Sequence, residues 1–575
     1  MRKFLLTVIF LLLCTGAEAV FVPEQPTMPV NSLKPGMTGY ILTVIRGTEP
    51  ERIPIKIVSI SPQKPGLEIS DEILVRFTGR QKLAQGMSGS PVYVQGKLIG
   101  AIRSGWEMSD QTLAFVAPIE SMCRIFDKDT QPQTDRFTLA NTYINGLKPG
   151  NSSVRTLGKR LGLAFTQGVS LGSRGLRVSA ERFKPGDAVS ALFVWGDIEA
   201  GAVGTVTATD RYGKFIAFGH AVNKAGNVSY PAAKTYIHDV VNSLEFPFKL
   251  ATPQSINGIF TQDREAGAGG YAGKYPPSIS AELRFRDLDT GTQSNYSFRV
   301  VADEFMSREL LANVFTGLVE DAWGRKGQGT MMVNLHIDGK AVPDGWARRD
   351  IFYSDEDIFE EAFSQSKTII DAYLTQPFSE TMPAGFVMTV EASQKPRVLL
   401  IEDVKVSQET ASPGDYIDVT VKLRGWRTEP VERKFTMRIP ENTSEGVCEV
   451  IVRGGNVDPF GQAAVEGGWK SIDSLKRMLD EFKAADANNE LIVELNADRL
   501  DEEIEAAIEH KQGRKDSKTK QDNKKSSVMS EYLLPEEEEY LSETKARRID
   551  EGTLRIYSSE YFIDGMMKRI IHVGK

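Results

Sequence analysis

The sequence predicts a mainly β protein with helical insertions, and three observations carry this prediction. Short runs rich in Val, Ile and Leu, separated by Pro and Gly, fill residues 37–102. A second strand-rich block covers about 157–301, and a third block with apolar and polar residues in alternation covers about 385–455. Apolar residues at helical spacing are concentrated between these last two blocks, in residues 304–380.

Length and composition limit the class of protein. The 575 residues correspond to about three or four domains at roughly 150 residues each. With 41% hydrophobic and 25% charged residues, the chain can form several cores. The net charge of −8 argues against nucleic acid as the main partner, because binding it requires a basic face. With 3 Cys, 5 His and neither a CxxC nor an HExxH motif, we predict no metal site and no cofactor.

The first 19 residues have the pattern of a secretory signal peptide. Arg2 and Lys3 form the positive start, residues 4–13 form the apolar core, and Ala-Glu-Ala at 17–19 suits cleavage before Val20. The apolar core is half the length needed to span a bilayer, which takes about 20 residues. Since no later segment reaches about 18 uninterrupted apolar residues, we expect an exported chain, periplasmic or extracellular, with no membrane span after cleavage.

Two strand-rich lobes are expected before the helical region. They cover residues 30–125 and 157–303, and the mostly polar residues 126–156 between them are predicted to be a linker. In the first lobe, residues 91–102 predict a hairpin that turns at a Gln-Gly-Lys sequence. In the second lobe, the Asp-Arg-Tyr-Gly sequence at 210–213 is typical of a hairpin turn.

The C-terminal half is predicted to hold a helical region at 304–380 and then a separable β-sandwich, immunoglobulin-like in architecture, at 385–455. The alternating apolar residues of the sandwich are Ile417, Val419, Val421 and Leu423, followed by Phe435, Met437 and Ile439. Residues 460–575 are expected to contain a helix, a disordered basic insert at 511–527 and a terminal β-hairpin that turns at Asp564-Gly565.

The most informative stretch is Gly86-Met87-Ser88-Gly89-Ser90-Pro91, directly before the first predicted hairpin. A serine nucleophile needs its hydroxyl on a tight turn and nearby backbone N–H groups directed at the developing oxyanion. Gly86 and Gly89 permit such a turn, because a Cβ would obstruct unusual φ values and the close approach of a substrate. Since Ser and Gly are common in loops, the residues are also compatible with an ordinary glycine-rich β-turn.

This stretch resembles the G-x-S-G-x-P nucleophile loop of chymotrypsin-like peptidases, including the hairpin behind it. The resemblance implies that Ser88 is the nucleophile and that the N–H groups of Gly86 and Ser88 form the oxyanion hole. It also implies a chymotrypsin-like double β-barrel, with the helices and the sandwich following it.

A closer resemblance is to the SpoIVB-type serine peptidases of bacteria, over about residues 30–300. It is carried by the same serine loop and by Gly204-Thr205-Val206-Thr207, which leads through a turn to Phe218-Gly219-His220-Ala221. In that family a Gly-His pair after such a hairpin supplies the catalytic histidine, which corresponds to His220. His238, beside Asp239, is a second candidate, although adjacent residues of a strand point to opposite faces.

The sequence departs from the family in three ways. Ser88 precedes His220, whereas the histidine comes first in the family, as if the two lobes were permuted. The PDZ module expected of the family is not evident. The family's triad acid lies shortly before the serine, but residues 77–80 contain no carboxylate. Asp71 is the nearest upstream aspartate and Asp263 is the alternative, and lack of the acid can lower turnover by about four orders of magnitude.

Two hypotheses about function follow. The first is an exported serine endopeptidase that hydrolyses peptide bonds of a protein or peptide substrate through an acyl-enzyme, with Ser88 attacking and His220 transferring the proton. The second is a catalytically weak or inactive protein that uses the peptidase fold as a binding scaffold in the cell envelope. A short distance between the Ser88 hydroxyl and a His220 ring nitrogen would favour the first.

Overall fold

The computed structural model describes residues 20–62, 69, 71–127, 141–168, 176–243, 245–303, 306–457, 473–496 and 541–574. The predicted signal peptide and the predicted basic insert lie outside the described residues. The chain divides into two compact units. The first consists of Met1–Ser280 and Ser297–Gly317, and the second of Ala281–Tyr296 and Leu318–Lys575.

Six strands of the first unit close into a barrel with the order β1-β2-β3-β6-β5-β4. The strands are β1 (Thr38–Thr43), β2 (Glu51–Pro62), β3 (Asp71–Phe77), β4 (Pro91–Val94), β5 (Lys97–Ser104) and β6 (Leu113–Pro118). Alternation along β2 buries Ile53, Ile55 and Ile57, because every second side chain of a barrel strand points inwards. A 3₁₀ turn at Val30–Ser32 precedes the barrel, and helix α1 (Ile119–Cys123) with a second 3₁₀ turn at Arg124–Phe126 follows it.

Six later strands of the same unit form a second ring. They are β10 (Ala188–Gly196), β11 (Glu199–Thr209), β12 (Lys214–Ala217), β13 (Gly226–Val241), β14 (Phe248–Arg264) and β15 (Gly267–Ala272). Their pairings run β10-β11-β12-β15-β14-β13 and return to β10. Both rings therefore have the same order, in which the first three strands are followed by the sixth, fifth and fourth. The predicted mainly β fold with a double β-barrel is confirmed.

The two predicted hairpins of these barrels are present. β4 pairs with β5 through Gln95 and Gly96, which have φ values of 52° and 77°. β11 pairs with β12 through a turn in which the Asp210 carboxylate accepts hydrogen bonds from the N–H groups of Tyr212 and Lys214, both at 2.8 Å. Both turns depend on local sequence, which explains why the sequence predicts them.

The predicted linker is partly folded, which corrects the sequence prediction. Between the barrels the chain forms β7 (Asn141–Asn145), helix α2 (Ser152–Leu161), β8 (Thr166–Gly168) and β9 (Arg177–Val178). β7 pairs with β11 of the second barrel. α2 begins after Asn151, whose side chain accepts a hydrogen bond from the Ser153 N–H group, and it buries only Ser153, Val154, Leu157 and Leu161. So narrow an apolar face leaves the segment mostly polar, and composition alone therefore misassigns it.

The helical region also contains strands that the sequence analysis did not separate. The elements that follow are β16 (Ser278–Asp287), β17 (Gln293–Val301), α3 (Met306–Trp323), β18 (Gly329–Gly339), β19 (Val342–Ser354), α4 (Ile358–Thr375) and β20 (Ala384–Ser393). β18 pairs with β19 and with β20, and the strands β18 and β19 come between the two helices in the chain. Within the described residues no helix is both long and apolar enough to cross a membrane.

The C-terminal strands form two sheets, ordered β24-β23-β21-β28 and β22-β29-β25-β26-β27. The elements are β21 (Val398–Val406), β22 (Thr410–Ala411), β23 (Tyr416–Gly425), β24 (Val431–Arg438), β25 (Gly446–Gly454), a 3₁₀ turn (Gly455–Val457), α5 (Leu475–Ala484), β26 (Glu490–Asn496), α6 (Leu541–Glu551), β27 (Leu554–Ser558), β28 (Phe562–Asp564) and β29 (Met566–Val573). One apolar core joins β21, β23 and β25 to β26, β28 and β29.

Three parts of the C-terminal prediction need correction. The core is not confined to residues 385–455, because Leu491, Ile563 and Ile571 belong to it. The parallel pairs β21–β28 and β22–β29 differ from the antiparallel sheets of an immunoglobulin sandwich. No terminal hairpin forms, because the chain crosses at Gly565 (φ 102°) from one sheet to the other, where β28 pairs with β21 and β29 with β25.

Residues 385–455 expressed alone are expected to give no cooperative thermal unfolding transition. The segment lacks Leu491, Val493, Ile563 and Ile571, which are buried in the same core. Each missing side chain removes roughly 1.5–3 kcal/mol of the stabilisation that burial gives. Thermal unfolding followed by circular dichroism, with the full chain as control, tests this. A sharp transition in the isolated segment would mean that its strands make a core of their own.

Candidate active site

The glycine-rich serine loop connects β3 to β4 in the first barrel. Ser88 is fully buried, and Gly86 and Gly89 have φ values of 88° and 87°, which favour glycine. A Cβ at position 89 would lie 2.1 Å from the Thr205 carbonyl oxygen and 2.3 Å from the Phe218 nitrogen. The glycine therefore lets the loop lie directly against the second barrel.

Hydrogen bonds from β11 of the second barrel hold this loop. The Thr205 N–H group donates to the Ser88 carbonyl oxygen (2.8 Å), and the Thr205 hydroxyl donates to the Gly86 carbonyl oxygen (3.1 Å). The Thr207 hydroxyl donates to the Gly89 carbonyl oxygen (2.7 Å). With their carbonyl groups bound on one side, Gly86, Ser88 and Gly89 have a fixed backbone orientation.

His220 lies on the connection between β12 and β13, so it follows the third strand of its barrel as Ser88 does in the other. A Cβ at Gly219 would lie 2.6 Å from the Ile102 carbonyl oxygen. The same oxygen accepts a hydrogen bond from the Gly89 N–H group at 2.7 Å. The residue after Ser88 and the residue before His220 therefore meet at one atom, and the fold brings the two predicted residues into the same region.

The protonation of His220 follows from its contacts. Its Nδ1 atom lies 2.6 Å from the Ala221 carbonyl oxygen, which can only accept, so Nδ1 carries the proton and Nε2 has a lone pair. Burial lowers the pKa of His220 to about 4, and the Arg103 charge acts in the same direction, against the hydrogen bond to Ala221. At neutral pH the ring is an uncharged base.

Ser88 and His220 do not contact each other through a hydrogen bond in this structure. Within the described part of the chain, the Ser88 hydroxyl and the His220 Nε2 atom are both buried without a hydrogen-bond partner. Catalytic hydrogen bonds are often long in an unliganded site and shorten when substrate binds. Two unsatisfied buried groups on adjoining loops are therefore compatible with a nucleophile and a base.

The predicted oxyanion donors are also available. Among the described residues, the backbone N–H groups of Gly86 and Ser88 make no hydrogen bond, whereas the intervening Met87 N–H group donates to the Ala84 carbonyl oxygen at 3.0 Å. Two free amides on one rigid turn are the donors that an oxyanion requires. Their role remains a prediction.

The two candidate acids differ in position. Asp263 is at the end of β14, and its carboxylate accepts hydrogen bonds from the N–H groups of Val222 (2.6 Å), Asn223 (2.8 Å) and Ala225 (3.2 Å). It therefore holds the turn after His220 but does not bond the imidazole. Burial raises the pKa of Asp263, and these backbone hydrogen bonds oppose the rise. Asp71, at the start of β3, pairs with Pro62, and no described contact joins it to His220.

Two groups beside the site were missed by the sequence analysis. Lys249 is buried, its side-chain carbons would lie 3.1–3.3 Å from a Cβ at Gly86, and its Nζ donates to the Thr43 hydroxyl at 2.7 Å. Burial lowers the pKa of Lys249 to about 7. A single lysine in a strand pattern carries no local signal of burial, so only the tertiary structure reveals it.

The second group is a buried ion-pair cluster. Arg103 Nη1 lies 2.8 Å from Glu72 Oε1, its Nη2 atom pairs with Glu265, and Lys224 Nζ lies 3.7 Å from Glu265. The four residues come from four separate segments, so no sequence spacing could indicate the cluster. It joins β3 and β5 of the first barrel to the β14–β15 connection of the second, and it fixes the charge that acts on His220.

His238, the second histidine candidate, is elsewhere on β13. Its Nε2 atom lies 3.0 Å from the Thr252 hydroxyl. Within the described residues no group of three or more His, Cys, Asp or Glu side chains is arranged to hold a metal ion.

The fold is a double β-barrel. A serine between two glycines lies on a loop of one barrel, and a histidine lies on the matching connection of the other. This is the organisation of a serine peptidase. Residues 23–123 match the family model described as SpoIVB peptidase S55. The chain thus carries a domain of the SpoIVB-type serine peptidase family. The matched range contains the whole first barrel and Ser88, whereas His220 lies beyond it. No curated protein and no solved structure matches the chain.

Proposed function

We propose that this protein is an exported serine endopeptidase that hydrolyses peptide bonds in a protein substrate through an acyl-enzyme. The observation that carries the proposal is the meeting of the Ser88 and His220 loops at the Ile102 carbonyl oxygen. The SpoIVB peptidase match supports the same reaction. Export is proposed from the leader sequence at residues 1–19.

The proposed reaction uses the groups already described. The Ser88 hydroxyl attacks the scissile carbonyl carbon while His220 Nε2 takes the hydroxyl proton. The carbonyl oxygen becomes an oxyanion, which accepts hydrogen bonds from the N–H groups of Gly86 and Ser88. His220 then gives the proton to the leaving amine as the C–N bond breaks. Water repeats the sequence on the ester, and His220 again serves as base and acid.

Asp263 is proposed as a positioning residue in this reaction. The Ala221 carbonyl oxygen occupies the place on Nδ1 that a triad carboxylate usually takes. Asp263 fixes the backbone directly after Ala221, and so it sets the direction of that carbonyl group. The imidazole would be oriented through the backbone, with the carboxylate one step removed.

A second candidate function is a peptidase-fold scaffold of the cell envelope with little or no activity. It is favoured by the contacts of His220, whose ring touches no carboxylate among the described residues. Orientation by a neutral carbonyl group stabilises the imidazolium less than a carboxylate does. The two functions differ in the reactivity of Ser88.

Covalent labelling with a fluorophosphonate probe tests the proposal, because such a probe reacts with a serine whose proton is removed by a base. We expect the full chain to be labelled at Ser88, and Ser88→Ala to lose the label. Ser90→Ala is the matched control, since Ser90 lies in the same loop but donates to the Thr205 hydroxyl at 3.4 Å. Equal labelling of the wild type and Ser88→Ala would leave the scaffold function.

A further inference from the structure

A cavity of about 690 Å³ lies beside the turn that follows His220 in the first unit. The described residues that line it are Asn223, Ala225, Asn227, Val228, Ser229, Tyr230, Ala302 and Asp303. Its volume is within the range of sites that bind small molecules or side chains, about 300–1,000 Å³.

The cavity is close to the proposed reaction centre. Asn223 lies three residues after His220, so their Cα atoms are at most about 11 Å apart, at 3.8 Å per residue. The intervening turn is fixed, because the Asp263 carboxylate binds the N–H groups of Val222, Asn223 and Ala225. A peptide extended through the site at about 3.3 Å per residue would thus bring a residue within about three positions of the scissile bond to this cavity.

The lining has the chemistry of a site for a cation. Asp303 supplies a carboxylate, and none of the described residues that line the cavity is a lysine or arginine. Tyr230 is 1% exposed, and its hydroxyl has no hydrogen-bond partner among the described residues. Ala225, Val228 and Ala302 add an apolar surface suited to the methylene chain of a long side chain.

Two of the contacts of the lining residues bear on the charge in the cavity. Asp303 Oδ1 accepts a hydrogen bond from the Met306 N–H group at 2.8 Å, which caps helix α3 and fixes the carboxylate. The Arg264 guanidinium donates to Asn227 Oδ1 at 3.2 Å. The Asp303 carboxylate supplies negative charge to the described lining, and this charge would attract a cation.

We propose that this cavity is a subsite for the positively charged side chain of a lysine or arginine in the substrate. The inference rests on the proposed peptidase function and adds a substrate class to it. Because hydrogen bonds to charged groups contribute about 1.5–3 kcal/mol, the preference should amount to about ten- to hundredfold in kcat/KM for a basic over an isosteric neutral side chain.

The test compares peptides that differ only in lysine, norleucine or glutamate at each position within three residues of the cleaved bond. With the full chain, kcat/KM for the lysine peptide should exceed that for the norleucine peptide by about tenfold or more at one position. Asp303→Asn should reduce kcat/KM for the lysine peptide to the value for the norleucine peptide. The helix cap is kept, because Asn caps as well as Asp. Asp357→Asn, the same change at the cap of α4 in the second unit, should leave the preference intact.

The outcomes separate this inference from the proposed function. Cleavage without a preference for lysine, or an unchanged preference in Asp303→Asn, would overturn the subsite while leaving the peptidase. If Ser88 is not reactive, fluorescence anisotropy with the same lysine and norleucine peptides, labelled and titrated with the full chain, decides the matter. Tighter binding of the lysine peptide that is lost in Asp303→Asn supports the site, and equal binding of both peptides rejects it.

Discussion

His220→Ala is expected to slow fluorophosphonate labelling of Ser88 by roughly 10⁴- to 10⁶-fold, because the members of a catalytic unit fail together. Without the imidazole, the proposed reaction lacks the base that takes the hydroxyl proton. His238→Ala is the matched control, since that histidine bonds Thr252 on another part of β13. The control should label at the wild-type rate, and undiminished labelling of His220→Ala would reject the role of His220.

The pH profile of labelling provides an independent check on His220. Because burial lowers its pKa to about 4, the ring is already neutral at pH 6, and the labelling rate should be nearly flat from pH 6 to 8. As the pH falls through about 4 the ring becomes protonated and the rate should fall. A half-maximal rate near pH 6.5 would mean that His220 titrates as an exposed histidine does.

Asp263→Asn is expected to cause the second large loss, about 10²- to 10⁴-fold in the labelling rate, whereas Asp71→Asn should change it by less than about threefold. An asparagine at 263 turns an NH₂ group towards the backbone N–H groups of Val222, Asn223 and Ala225, so at least one donor loses its acceptor. The turn after His220 would then lose its fixed geometry.

Thermal unfolding must accompany the Asp263 measurement, because an unpaired buried donor also costs roughly 1–3 kcal/mol of stability. A labelling loss that exceeds the loss of folded protein at the assay temperature indicates positioning of the imidazole. If Asp71→Asn lowers the labelling rate more than Asp263→Asn does, the carboxylate that orients His220 belongs to the first barrel.

Local features of the fold could be predicted from the sequence, and long-range features could not. The hairpin at residues 91–102 and the turn at 210–213 depend on residues within a few positions of each other, and both are confirmed. The serine loop was identified for the same reason, since its glycines lie one and two residues from Ser88. The sequence predicts a complete sandwich at residues 385–455, but the strands that finish its core come after residue 489, too far along the chain for the local pattern to reveal them.

The candidate site shows the same limit. Ser88 and His220 each carry a local motif, but they are 132 positions apart in the chain, and only the matching barrels bring their loops to Ile102. The contacts of Asp263 are with backbone N–H groups, which every residue except proline has, so its role leaves no mark in the sequence. Lys249 and Arg103 gain their importance from burial, which depends on segments distant in the chain.

The β13–β14 hairpin also determines how the serine loop is reached. Its far end binds the start of that loop through two backbone hydrogen bonds, from Gln85 N–H to the Pro247 carbonyl oxygen (2.7 Å) and from Lys249 N–H to the Gln85 carbonyl oxygen (3.0 Å). Phe246 of this hairpin is buried in the core of the first barrel. Because Ser88 is fully buried, a polypeptide can reach it only in molecules in which the structure around the serine loop has opened, and we expect this hairpin to lift in that opening.

The rate of any active-site reagent is then the intrinsic rate multiplied by the open fraction. An opening free energy of about 2.7 kcal/mol leaves one molecule in a hundred open and lowers the observed rate a hundredfold. Amide hydrogen exchange at Gln85 and Lys249 measures the same opening, because each N–H group is released when the hairpin lifts. The exchange rates of two amides would thus give the factor by which burial of Ser88 lowers its reactivity.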